Sequence, residues 1–224
     1  GFFRRFYVAS NMRLAYVGPK VDKGLFNSFS GIAAGKSHKS FPDPAGFSGR
    51  NVMSRPIGQC YLVLGKKTVP RRHPDSFVLD VIRAVLGKGL TGRIVNEVRQ
   101  EKGLAYEVGC VNECDIDYGF FSVYLSTKNL ALAESIVRKH LADIGSVSDK
   151  EILEAKYYCV GEFVRETEDS RVLADILAFW DCCNMDSDVG RYVKSIRDVT
   201  KCDVLRVAKK YFSGPFAVAV LKEN

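Results

Sequence analysis

The spacing of apolar positions along this chain changes several times, and each change marks a predicted element. "RLAYVG" (13–18) alternates and ends on Gly-Pro, which predicts a strand followed by a turn. "VDKGLFNSFSGIAAG" (21–35) places Val21, Leu25, Phe29 and Ile32 on one face of a helix. The Ser-, Gly- and Pro-rich stretch 36–55 reads as a loop with room for a short edge strand, and "IGQCYLVLGKKT" (57–68) as a clear strand. Pro74 opens a helix through Leu86, with Phe77, Val78, Val81, Ile82 and Val85 as its stripe. In "GKGLTGRIVNEVRQEKG" (87–103), Thr91 is the expected N-cap. Ile94, Val95 and Val98 form its buried face, and Gly103 is a left-handed stop. Strands at 105–112 and 118–126 flank the acidic turn "NECDIDYG". Long helices follow at 128–145 and 148–167, the second opened by a Ser148–Glu151 capping box. Three more helical patterns fill 170–212, and "PFAVAVL" (215–221) closes as a strand.

A hairpin in the middle and helices in a block predict an α+β fold. It has two layers, an antiparallel-rich sheet with helices packed on one face. The chain shows no internal repeat and no low-complexity segment, so residues 1–224 read as a single domain. At 46% hydrophobic and 26% charged it can bury a sizeable core. No apolar run approaches the ~18 residues of a membrane helix. "GFFRRFYVAS" has neither a signal-peptide layout nor a start methionine, so the chain reads as cut from something longer.

Charge and cysteines narrow the functional classes. Of the +7 net charge, the densest cluster is "KKTVPRRH" (66–73). No aromatic residue is interleaved there, so a solvated loop is expected rather than a nucleic-acid surface. Seven cysteines without the spacing of a secreted scaffold predict reduced thiols, a cytoplasmic setting and mostly buried packing roles. Neither Cys110/Cys114 nor Cys182/Cys183 has a second pair at zinc-site spacing.

Other motif fragments fail on spacing. "GIAAGKS" (31–37) has three residues between its glycines where a phosphate loop needs four, and "GFSG" (46–49) lacks a spacer of a nucleophile elbow. The Glu113–Asp115–Asp117 turn lacks the closing glutamate of a calcium loop. His38, His73 and His140 form neither H-E-x-x-H nor its inverse, so no metal ligand is assigned in this chain. His140 reads as a helix-end residue.

Two readings stay open for Arg99 and Tyr106. They are a helix-end charge and a core aromatic, or two hydrogen-bond donors converging across the Gly103 turn.

The run "LGKGLTGRIVNEVRQEKGLAYEVGC" (86–110) resembles the pitrilysin- or insulinase-type zinc metallopeptidases, which include the mitochondrial processing peptidases. Leu86, Gly87, Gly89, Arg93, Glu97, Arg99, Gly103, Leu104, Ala105 and Tyr106 match that family's pattern, and Lys88 interrupts its glycine run. "NMRLAYVG", "GQCYLVLG", "YGFFSVYLSTKN" and "VSDKEILEAK" extend the likeness over nearly the whole chain. The resemblance implies enzymes built from repeats of one domain, one half carrying an H-x-x-E-H zinc site and the other supplying an arginine and a tyrosine. It thus implies that this chain is the C-terminal half without zinc, inactive alone, with Arg99 and Tyr106 as catalytic and substrate-binding residues. Zinc would lie on a homologous partner half, in the same chain or a separate subunit, and the substrate would be a peptide or protein. The alternative it implies is a catalytically inactive structural or assembly subunit. Neither nucleic acid nor a membrane span is expected.

Overall fold

One helix organises the molecule. In the computed structural model, which describes residues 1–20, 23–36, 45–186 and 188–223, helix α3 (Asp75–Gly87) buries 11 of its 13 residues. The apolar spacing predicts one buried stripe. The structure instead covers the helix nearly all round, because the sheet lies on one side and other helices on the other.

The sheet has five strands in the order β1-β5-β2-β4-β3. They are β1 (Gly49–Arg55), β2 (Cys60–Lys67), β3 (Val108–Cys114), β4 (Gly119–Thr127) and β5 (Ala217–Glu223). All neighbours are antiparallel except β1 with β5. Leu62 and Leu64 of β2, Phe121, Val123 and Leu125 of β4, and Val218 and Val220 of β5 point into the helix layer and are buried. Tyr61, Val63, Phe120 and Tyr124 alternate with them and stay exposed on the opposite face. This is the period-two pattern of a sheet covered on one side. The hairpin of β3 and β4 and the two-layer α+β architecture therefore match the sequence reading.

Before the sheet come two short helices, α1 (Phe2–Phe6) and α2 (Lys23–Asn27). The helix layer adds α4 (Arg93–Val95), α5 (Leu130–Ala142), α6 (Asp149–Thr167), α7 (Ser170–Cys182), α8 (Val189–Asp198) and α9 (Lys201–Phe212). The predicted capping box forms in full, the Ser148 and Glu151 side chains each accepting the other's backbone N–H.

Several expectations are corrected. Residues 13–18 form no strand, and the predicted 21–35 helix is reduced to α2, with Phe29 exposed and Ile32 half-buried. Neither stretch has a core to pack on, so periodicity alone cannot hold it. Val21, Ser37 and His38 lie outside the described residues. The edge strand foreseen within 36–55 is β1, exposed along its length. The basic cluster is not a solvated loop. The Arg71 guanidinium pairs with buried Asp80 at 2.8 Å, and Lys66 donates to the carbonyls of Ser213 and Pro215. His140 does lie in the last turn of α5, as expected, with its Nε2 2.7 Å from Glu97.

Three of the seven free cysteines, Cys114, Cys159 and Cys183, are buried. Burial pushes the Cys114 and Cys159 thiols up to about 12. They are inert at neutral pH and behave as small hydrophobes.

The carboxylate of Asp75, at the start of α3, accepts from Arg206, Lys210 and Tyr211 of α9 at 2.8–2.9 Å. Burial works to raise its pKa, but the bonds from Lys210, Arg206 and Tyr211 outweigh it and hold the group at about 2, below the ordinary 3.8. A depressed folded-state pKa stabilises the fold above about pH 4, and that contribution is lost as pH falls through 2. Asp75→Asn is expected to destabilise the protein by about 2 kcal/mol at pH 7. The gap between mutant and wild type should close toward pH 2 in urea denaturation. A pH-independent gap would mean that packing, not charge, is what Asp75 contributes.

Candidate functional site

The block from Gly87 to Tyr106 is held from below and open above. After α3, the amides of Thr91 and Gly92 both donate to the Lys88 carbonyl, closing a tight turn. Gly92, not Thr91, is the N-cap of α4, and no side chain caps it. A Cβ on Gly92 would stand 2.5–2.7 Å from backbone atoms of Gly87 and Lys88, so the turn accepts only glycine there. The resemblance had marked Gly87 and Gly89; Gly92 was missed because close backbone approach leaves no periodic signal.

Matched residues of this block divide into anchors and an exposed pair. Arg93 grips Glu151 with two hydrogen bonds, 2.6 and 2.9 Å, fastening α4 to the N-terminus of α6. The hydrogen bond from Arg93 is the main cause holding the Glu151 pKa down, at about 2. Lys88, which departs from the family pattern, reaches Glu154 at 2.8 Å. Glu97 meets His140 at 2.7 Å and Lys139 at 3.3 Å on α5, and Val98 is fully buried.

From Asn96 to Glu101 the helix widens into a π turn, with the Lys102 amide donating five residues back to Glu97. Such turns carry one extra residue and recur at functional sites. Gly103 then adopts φ +59°, the left-handed conformation glycine tolerates best. The Leu104 amide donates to Val98, and the Thr127 hydroxyl donates to the Leu104 carbonyl. Ala105 is buried, so the chain is clamped immediately before Tyr106.

Here the two predicted site residues meet. The Arg99 guanidinium carbon lies 4.6 Å from the centre of the Tyr106 ring, a cation–π contact. Tyr106 is 83% exposed, which removes the core-aromatic reading. It also precedes β3 rather than starting it. Arg99 has no carboxylate partner among the described residues. Stacking uses the face of the guanidinium and leaves its N–H donors, which lie in the plane, available beside the phenol O–H. The pair can therefore offer several donors to carbonyl oxygens. It lies on open surface: the cavity of about 550 Å³ between α5 and α9, and that of about 350 Å³ on the exposed sheet face, have other linings. Among the described residues, no group of three or more His, Cys, Asp or Glu side chains is arranged to hold a metal ion.

Comparison with known proteins follows the same block. Residues 1–157 match the family described as the peptidase M16 inactive domain. An uncharacterized zinc protease of Rickettsia felis is 22% identical over 238 residues, covering 100% of this chain and 56% of the relative. The crystal structure of a peptidase M16 inactive domain from Pseudomonas fluorescens superposes with a TM-score of 0.76 at 20% identity, covering 86% of this chain and 48% of that one. A protease from Helicobacter pylori gives 0.74 at 22% identity, with 90% and 53% covered. The chain thus spans little more than half the length of the Rickettsia relative, and the solved structures share its fold.

Two substitutions separate anchors from the exposed pair. Tyr106→Ala should change stability by no more than about 0.5–1 kcal/mol, the value of an exposed cation–π contact. Gly92→Ala should lose about 1–3 kcal/mol, as overpacking does. Chemical denaturation of both variants checks this; a large loss for Tyr106→Ala would make the ring a structural element.

Proposed function

The chain belongs to the peptidase M16 inactive-domain family, and from that premise we propose that it is the substrate-binding half of a zinc-dependent metallopeptidase. The observation that carries this reading is the stacked pair of half-buried Arg99 and exposed Tyr106, whose side-chain donors have no hydrogen-bond partner among the described residues. When water attacks a peptide carbonyl, charge grows on its oxygen, and a donor already in place stabilises that charge. The Tyr106 hydroxyl suits this task, while the Arg99 fork suits neighbouring carbonyls of an extended peptide. The zinc ion belongs to a homologous partner half, and this chain's part is to bind and orient the substrate.

Open placement supports the same view, because an exposed pair that lines none of the four cavities found among the described residues needs a second body to make a cleft. The partner half is that second body, whether it lies in the same polypeptide or in a separate subunit. The free thiols support a cytoplasmic setting. Among the described residues no helix is long and apolar enough to cross a membrane.

In enzyme assembled from this chain and its zinc-bearing half, Tyr106→Phe should leave folding intact and lower kcat by ~10²-fold or more. Arg99→Ala should lower kcat/KM, with the larger share in KM if it grips ground-state carbonyls. Steady-state peptide cleavage measures both. Wild-type turnover in the two variants would instead return Arg99 to a helix-end charge and Tyr106 to a packing ring.

A further inference from the structure

Between α5 and α9 lies the cavity of about 550 Å³ that neither Arg99 nor Tyr106 lines. Three local features build its walls. The short turn Asp143–Ser146 ends α5 and brings Ile144 against the core, 2% exposed. At the end of α9 the Ser213 hydroxyl donates back to the Lys209 carbonyl, and Gly214 turns the chain toward β5 at φ +77°. Phe216 then stands parallel to Phe212, the ring centres 6.5 Å apart. Lys66 holds this corner from the sheet side. It donates to the carbonyls of Ser213 and Pro215, with its ammonium over the Phe216 ring.

The lining is apolar inside and basic at the mouth. Leu141, Ile144, Leu205, Phe212 and Phe216 supply most of the apolar surface. Among the described residues, the charged side chains that line it are Arg138 and Lys209, and no carboxylate joins them. Arg138 is already engaged, because Glu134 accepts from it at 2.8 Å. Glu134 also accepts from Arg50 at 2.9 Å, so one carboxylate answers two guanidiniums. Lys209 is exposed, and its ammonium has no partner among the described residues. Leu141, Ile144 and Phe212 lie deep, each 6% exposed or less. The cavity thus runs from an unanswered positive charge down to an apolar floor.

Size and surroundings decide between a small molecule and a protein as occupant. The volume falls within the roughly 300–1,000 Å³ of small-molecule sites. A protein partner would need about 800 Å² on this side, with a broad apolar centre. Among the described residues, the large apolar side chains that α5 and α9 expose are only Leu132 and Leu205, so no such centre surrounds the mouth. Small residues keep the space open, since Ala142, Gly145 and Ala208 complete the lining. Gly145 is not held at a left-handed φ, and a Cβ there would stand 3.9 Å from Leu205, in ordinary contact. A large residue at 145 would therefore enter the cavity without straining the backbone.

We propose that this cavity binds an aliphatic carboxylate, its chain packed between α5 and α9 and its headgroup beside Lys209 at the mouth. One free ammonium matches a monoanion, and its three N–H groups donate to carboxylate oxygens. Burial of the chain supplies most of the affinity, about fourfold for each methylene taken out of water. The charge at the mouth sets the direction, headgroup outward and chain inward. An apolar molecule without the anion would leave Lys209 unanswered, and a cationic one would meet Arg138 and Lys209 as like charges. The proposal is independent of the reading of Arg99 and Tyr106.

Isothermal titration calorimetry with octanoate, decanoate and dodecanoate, each kept below its micelle concentration, tests this. Binding should saturate at one molecule per chain. It should tighten by up to about fourfold per methylene until the chain fills the cavity. Dodecyltrimethylammonium should bind at least ~10-fold more weakly than dodecanoate. Gly145→Trp should abolish dodecanoate binding, and Lys209→Glu should weaken it by about 10-fold, both with the melting temperature nearly unchanged. Lys209→Arg should retain it. Equal affinity for the two headgroups, uptake that never saturates, or no binding of any of the three acids would overturn the proposal. So would wild-type affinity in folded Gly145→Trp or Lys209→Glu. The headgroup and chain-length comparisons use the unaltered chain, so they decide the matter even where a variant fails to fold.

Discussion

The two carboxylates on α3 cannot stay in water, because the helix that carries them is covered on nearly every side. An unmatched buried carboxylate costs about 3–5 kcal/mol, so the groups that answer Asp75 and Asp80 fix where the neighbours of α3 must sit. Asp75 draws in α9 through Arg206, Lys210 and Tyr211. Asp80 draws in the loop before α3 through Arg71 and the edge strand β3 through Asn112, with Tyr192 of α8 at 3.5 Å. Burial works against the Arg71 charge, yet Asp80 more than offsets it and holds the guanidinium above its ordinary pKa. Apolar packing supplies most of the stability, while these polar contacts select one arrangement of the layers.

The block from Gly87 to Tyr106 is tied into the same framework. It begins where α3 ends, is fastened to α6 through Arg93 and to α5 through Glu97, and is clamped by Thr127 at its exit. Along one short stretch the chain passes from deep burial at Val98 to high exposure at Tyr106. With its base held, the solvent-facing pair would lose little entropy on ordering against the proposed peptide ligand.

Much of this was readable from the residues. The strands from β2 onward and every long helix follow from periodicity and caps, because each of them has the core that its spacing anticipates. Convergence of Arg99 and Tyr106 across the Gly103 turn was one of two open readings of the residues, and the stacking of guanidinium on ring was in neither. What escaped notice depends on contacts between distant residues. Arg71 and Lys66 looked like a solvated cluster because Asp80 and the carbonyls near Pro215 are remote in sequence. Thr91 looked like a cap because propensity cannot see the backbone against which Gly92 is pressed. The "RLAYVG" alternation forms no strand here because no neighbouring strand of this sheet pairs with it, which local spacing cannot register.

The wide turn at 96–101 sets the direction in which the side chains within it leave the helix. A π turn holds one residue more than an α turn spanning the same rise. Removing a single residue from it would leave an ordinary helix with nearly the same ends, so Val98 and Gly103 could still reach their places. Side chains within the turn, Arg99 among them, would leave the helix in a different direction. The extra residue is therefore a spacer in angle rather than length, and it aims Arg99 at the ring of Tyr106. Length variation at this turn would be mild for the scaffold and decisive for the pair.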